Sequence, residues 1–139
     1  MNKIVRIEEV PEAYDLSGQV IGLAMKVHSK LGPGFLESVY QNALALELRH
    51  AGIKVEQEKP VSVLYEGEPV GAFMADMLVD ERLIIETKAI QALAKVHEVQ
   101  LVNYLVATQI DEGLLLNFGA ARLELKKKFR LPKTGPVSL

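Results

Sequence analysis

From Leu16 onward the apolar residues Leu16, Val20, Ile21, Leu23, Ala24, Val27 and Leu31 recur at intervals of three and four, the period of a helix with one face on a core. The pattern predicts a first helix over residues 16–31. Gly32-Pro33-Gly34 stops it, because glycine costs a helix backbone entropy and proline cannot continue the hydrogen-bond ladder. Leu36, Val39, Tyr40, Ala43, Leu44, Leu46 and Leu48 then predict a second helix over residues 35–51, with Gly52 as a left-handed stop.

Past Gly52 the period changes. Val55 and Gln57, then Val61, Val63 and Tyr65, alternate with polar or small neighbours and predict a strand, followed by turn chemistry in Glu66-Gly67-Glu68-Pro69. Residues 70–79 and 83–89 read as two more strands, joined as a hairpin through Asp80-Glu81-Arg82. Helical spacing returns over residues 91–108 through Leu93, Val96, Leu101, Leu105 and Val106. Residues 114–118 form a short apolar run suited to a buried strand, and residues 122–129 alternate Leu123 and Leu125 with charges as an edge strand does. A strand that follows a helical connection of this length enters parallel to the one before it. The expected fold is therefore α/β, a mixed central sheet flanked by helices.

Composition narrows the chemistry. A chain of 139 residues with no repeat or low-complexity block reads as one domain, with its core at about residues 16–130 and a loose tail at residues 131–139. Sixteen Lys and Arg against eighteen Asp and Glu leave a net charge of −2, so any nucleic-acid site is a local patch rather than a property of the whole surface. The absence of cysteine excludes disulfides, zinc ribbons and thiol nucleophiles, and suits a reducing cytoplasm. The first ten residues do not resemble a signal peptide, and no apolar run approaches the ~20 residues that span a bilayer. A cytoplasmic protein without membrane contact is expected.

The informative segment is residues 75–88, ADMLVDERLIIETK. Glu86 and Lys88 stand two apart in a strand and share a face, while Ile85 and Thr87 point to the other. With Val79 paired to Leu83, Asp76 falls opposite Glu86, and two carboxylates lie side by side with a lysine one step along. Adjacent carboxylates repel, so the arrangement asks for a cation. Oxygen donors select a hard one, Mg²⁺ or Mn²⁺. Lys88 is then placed to position or deprotonate a water, or to stabilise charge on phosphorus. The same residues also describe a solvated sheet face, but an unpaired Asp76 in the apolar run Phe73-Met74-Ala75-Asp76-Met77-Leu78-Val79 would be costly.

Leu31-Gly32-Pro33-Gly34-Phe35-Leu36-Glu37-Ser38-Val39-Tyr40 resembles the signature of the GxxExxY proteins, filled by Gly34, Glu37 and Tyr40; these proteins are placed in the PD-(D/E)XK nuclease superfamily. Val27-His28, Ala75-Asp76, Glu86-Thr87-Lys88, the run from His97 to Leu105, and Leu116-Asn117-Phe118-Gly119 match in order. The resemblance implies a restriction-endonuclease-like αβββαβ core, here with an extra N-terminal helix, and metal-dependent phosphodiester cleavage. It implies Asp76 and Glu86 as metal ligands, Lys88 as the residue serving the attacking water, Glu37 as an acid from the preceding helix and Gln100 as a polar residue from the following one. Ala75 replaces the proline of the superfamily name, and Thr87 replaces an aliphatic residue, a change that bears only on the opposite face.

Other candidates surround this set. Glu37 in a first helical turn also interacts favourably with the helix dipole, and Tyr40 lies one turn on, able to pack in the core or to bond near the site and touch nucleic acid. His97, Gln100 and Tyr104 fall on one helix face and suggest a site wall that touches nucleic acid. His28 and His50 suit helix C-termini. Lys126, Lys127, Lys128 and Arg130, with Lys133, form the dense basic cluster, which fits phosphate contacts or the protection of an edge strand by lysine. The expected partner is nucleic acid, DNA ahead of RNA, with a homodimer as a way for so small a chain to hold a duplex. The competing class is a module that keeps the nuclease fold and only binds nucleic acid or protein.

Overall fold

The computed structural model describes residues 12–130; the expected loose tail and Lys133 lie outside them. Helix α1 (Glu12–Leu31) sets Leu16, Val20, Ala24 and Val27 into the core. It ends where the Gly32 N–H bonds to the His28 carbonyl at 2.8 Å and Gly32 turns to φ 69°, a region open to glycine. Helix α2 (Glu37–His50) buries Tyr40, Gln41, Leu44, Ala45 and Leu48. Phe35, Leu36, Val39 and Leu46, counted above among its apolar positions or start, are instead exposed.

Five strands follow: β1 (Val55–Tyr65), β2 (Glu68–Val79), β3 (Leu83–Lys88), β4 (Glu112–Asn117) and β5 (Glu124–Phe129), with α3 (Lys95–Thr108) between β3 and β4. They form one mixed sheet in the order β1-β2-β3-β4-β5, antiparallel except for the β3–β4 pair that α3 connects. Alternation gives the sheet two apolar faces. Met77, Val79, Leu83, Ile85, Leu114 and Leu116 pack with α1 and α2, whereas Ala75, Leu78, Ile84 and Leu115 pack with Leu101 and Leu105 of α3. This is the α/β architecture expected, a mixed sheet flanked, among the described residues, by three helices.

Two features position the site. Only Met77, Leu78 and Val79 of β2 pair with β3, so the rest of the β1–β2 hairpin leaves the sheet as a two-stranded ribbon. Second, α3 begins at Lys95 rather than at Gln91. Side chains from the far strands hold the intervening loop: Asn117 accepts from the Ile90 N–H (2.9 Å) and donates to its carbonyl (3.0 Å), and Glu124 accepts from the Leu93 N–H (3.0 Å). A backbone committed in this way cannot join the helix.

Candidate functional site

The site forms where the ribbon parts from the sheet. The β2–β3 register is the one expected, Val79 with Leu83 and Met77 with Ile85, but the ladder stops there, one step short of Asp76 and Glu86. Strand β2 also rotates at this point. A regular strand would put Ala75, Met77 and Val79 on one face, yet Ala75 belongs to the α3 side and the other two to the α1–α2 side. Facing Asp76 across the hairpin, Glu58 drops out of the β1–β2 pairing and adopts φ 54°, a bulge-like break that turns its strand as well.

At the fork, side chains replace the missing ladder bonds. The Asp76 N–H donates to Glu86 Oε2 (3.2 Å), and the Thr87 N–H donates to Asp76 Oδ2 (2.8 Å), so each strand's carboxylate takes up a backbone donor of the other. The Thr87 hydroxyl also donates to Asp76 Oδ2, at 3.1 Å. This corrects the expectation that Thr87 bears only on the opposite face: the rotation at Asp76 carries its carboxylate within reach. Asp76 Oδ1 and Glu86 Oε1 receive no hydrogen bond among the described residues. Since no buried side-chain oxygen among the described residues goes unpaired, both open to solvent.

The electrostatics are those of crowded, partly dehydrated acids. Glu86, 7% exposed, is pushed up to about 8, first by burial and then by the Asp76 charge, against the opposing Asp76 N–H and Lys88. Asp76 is also raised by burial, partly offset by its two bonds from Thr87, with Glu58 adding repulsion. Glu37 is raised by burial and then by Asp76, and lowered by Lys88. Lys88 therefore lies within electrostatic reach of three carboxylates, and it forms no ion pair among the described residues.

The donor set fits a hard divalent cation. It is all oxygen, two of its carboxylates keep one unpaired oxygen each, and a cation there would relieve the repulsion that raises the acids. Among the described residues no three His, Asp or Glu side chains converge on one metal position. A cation would thus rest on Asp76 and Glu86 and take its other ligands from water or substrate, as Mg²⁺ does.

The structure brings together Asp76, Glu86, Lys88 and Glu37, and places Tyr104 near them, since the Tyr104 hydroxyl is raised by burial and then by Glu86 and Asp76. Tyr104 stacks on Phe73 of the ribbon, ring centroids 3.8 Å apart. Gln100, one turn earlier on α3, is exposed and makes no hydrogen bond among the described residues. His97 is occupied as a cap: its Nδ1 accepts the Ala94 N–H at 2.9 Å. Tyr40 is not available to nucleic acid. It is wholly buried, stacks on Phe118, donates to the Gly32 carbonyl and accepts from the Phe35 N–H, which makes it the latch of the Gly-Pro-Gly turn. The basic cluster is split by the strand, for Lys127 points to the α1 side while Lys126, Lys128 and Arg130, two apart, share the side of α3. Lys127 donates to Ser17 Oγ on α1, Lys128 pairs with Glu98 on α3 at 2.7 Å, and Arg130 pairs with Asp111 at 2.7 Å.

The sequence did not reveal the parts of three participants. Glu58 and Thr87 reach the carboxylates only because both ribbon strands break their alternation, which no periodicity announces. Asn117 sits in an apolar run, and its burial with four hydrogen bonds, to Ile90 twice, Glu124 and Gly119, could have been suspected from a lone amide there.

Comparison with known proteins agrees with this fold. No curated protein matches the chain. Among solved proteins, the crystal structure of SSO0001 superposes with a TM-score of 0.53 at 18% identity, over 69% of this chain and 51% of that one. The likeness is one of fold, and this chain spans about half the length of that protein. A sequence profile of the PD-(D/E)XK nuclease superfamily matches residues 14–129, the whole of the sheet and nearly all of its helices. By that match the chain belongs to the PD-(D/E)XK nuclease superfamily.

Proposed function

We propose that this protein is a metal-dependent nuclease that hydrolyses nucleic-acid phosphodiester bonds, DNA ahead of RNA, with Asp76 and Glu86 holding Mg²⁺ or Mn²⁺. The observation that carries the reading is the fork: two carboxylates exchange backbone donors across parting strands and keep one oxygen each for an external cation. Bound there, the metal would supply charge neutralisation and a more acidic water. Lys88, uncommitted and beside the acids, holds its ammonium where it orients the attacking water and offsets negative charge on the phosphate. Glu37 contributes a further acceptor from α2, and Gln100 and Tyr104 line the α3 side.

One observation favours a second reading. Lys127, Lys128 and Arg130 are engaged within the protein, which limits the positive field that gathers a polyanion. A non-catalytic module that binds nucleic acid or protein would tolerate that better than a nuclease. Incubation with Mn²⁺ and single-stranded DNA, duplex DNA or RNA separates the two. Cleavage by the wild type that falls by on the order of 100-fold or more in Glu86→Gln and Lys88→Ala supports the nuclease. Absence of cleavage on all three substrates, or undiminished cleavage by Glu86→Gln, overturns it.

A further inference from the structure

Thr87 is wholly buried, in a strand whose neighbours on the same side are Ile85 and the apolar core beneath α1 and α2. A hydroxyl buried there needs an acceptor, and the one it has is Asp76 Oδ2, at 3.1 Å. The same oxygen takes the Thr87 N–H at 2.8 Å. One bond would leave the carboxylate free to turn about its last torsion; two donors from one residue, at different angles, fix its plane and decide which oxygen faces outward. Valine would fill the same volume and keep the N–H while losing the hydroxyl. Among the described residues no other donor reaches the Asp76 carboxylate.

We propose that Thr87 is a positioning residue for the metal ligand Asp76, its hydroxyl holding Oδ2 inward so that Oδ1 is presented to the cation. The inference rests on the metal site of the nuclease reading and adds to it a part specific to this chain, the residue between Glu86 and Lys88. Hydrogen bonds of this kind, made to a ligand rather than to the metal, typically carry 10- to 100-fold in metal affinity, on the order of one to two decades in Kd.

The test is calorimetric titration of the metal-free protein with Mn²⁺, alone and with a non-cleavable phosphorothioate oligonucleotide, for wild type, Thr87→Val, Thr87→Ser and Asp76→Asn. The expected result is a Kd weakened about 10-fold or more in Thr87→Val, near wild-type binding in Thr87→Ser, and loss of binding in Asp76→Asn. Should the valine variant not fold, Thr87→Ala, which also lacks the hydroxyl, takes its place. Wild-type affinity in Thr87→Val beside lost affinity in Asp76→Asn overturns the role of Thr87 and leaves the nuclease reading standing. Equal weakening in the valine and serine variants assigns the effect to packing and likewise overturns it. If wild type takes up no Mn²⁺ under either condition, the metal site falls and this inference with it.

Discussion

Glu86 illustrates how one buried acid writes itself into the stability of the whole chain. Its proton affinity rises from an ordinary 4.5 to about 8 on folding, so between those values the folded state holds a proton that the unfolded state has released. Stability of the metal-free protein must then fall as pH rises through that window, and level off above about 8, where both states are ionised. The melting temperature of the metal-free wild type is expected to drop between roughly pH 5 and pH 8.5, the span of the titration. Glu86→Gln, neutral throughout, should show a smaller drop and be the more stable protein at the alkaline end. Thermal denaturation in chelator across that range checks it; parallel curves for the two proteins would mean that Glu86 ionises freely. That Glu86 comes to lie beside Asp76 was readable from strand register, because a short hairpin fixes which residues come together even where the ladder itself stops one step short. What the register could not convey was that the carboxylates would reach past each other to backbone donors. That depends on the rotation of β2 at Asp76 and the break at Glu58, where neither residue is a glycine or proline to mark it.

At the scale of elements, periodicity located the three helices and five strands of the described residues, since each buries a face against one side of the sheet or the other. The start of α3 was the exception. Residues 91–94 carry helical spacing, yet the loop is tied to Asn117 and Glu124, 27 and 31 positions away along the chain. A local pattern holds no record of partners that distant. The tie has a function in the fold: it fixes the chain immediately after Lys88, and the Phe118 N–H bonds to the Lys88 carbonyl at 2.8 Å beside it. Gly119 completes the joint, for a Cβ there would stand 2.4 Å from the Ile90 carbonyl oxygen. Asn117→Ala removes four hydrogen bonds and leaves buried backbone groups unpaired, so a loss of about 2–4 kcal/mol is expected. Denaturant unfolding measures it, and a cost below about 0.5 kcal/mol would show that water replaces the amide without penalty.

For the molecule as a whole, the sheet is unequal in how firmly its strands are held. Strand β3 is paired on both sides and covered on both faces, whereas the ribbon beyond Asp76 has one sheet partner, its own hairpin mate, and packs on one side against α3, where Phe73 stacks on Tyr104. Opening the ribbon costs little buried surface; opening β3 costs the core. Amide hydrogen exchange should therefore divide the protein into a fast-exchanging ribbon, about residues 60–74, and a slow centre at β3 and β4, with the carboxylates on the boundary between them. The Asp76 and Thr87 amides, bonded to those carboxylates, are the hinge pins of that motion. A cation clasped at the fork would slow their exchange and quiet the ribbon together, which makes the β1–β2 arm a built-in reporter of whether the site is filled.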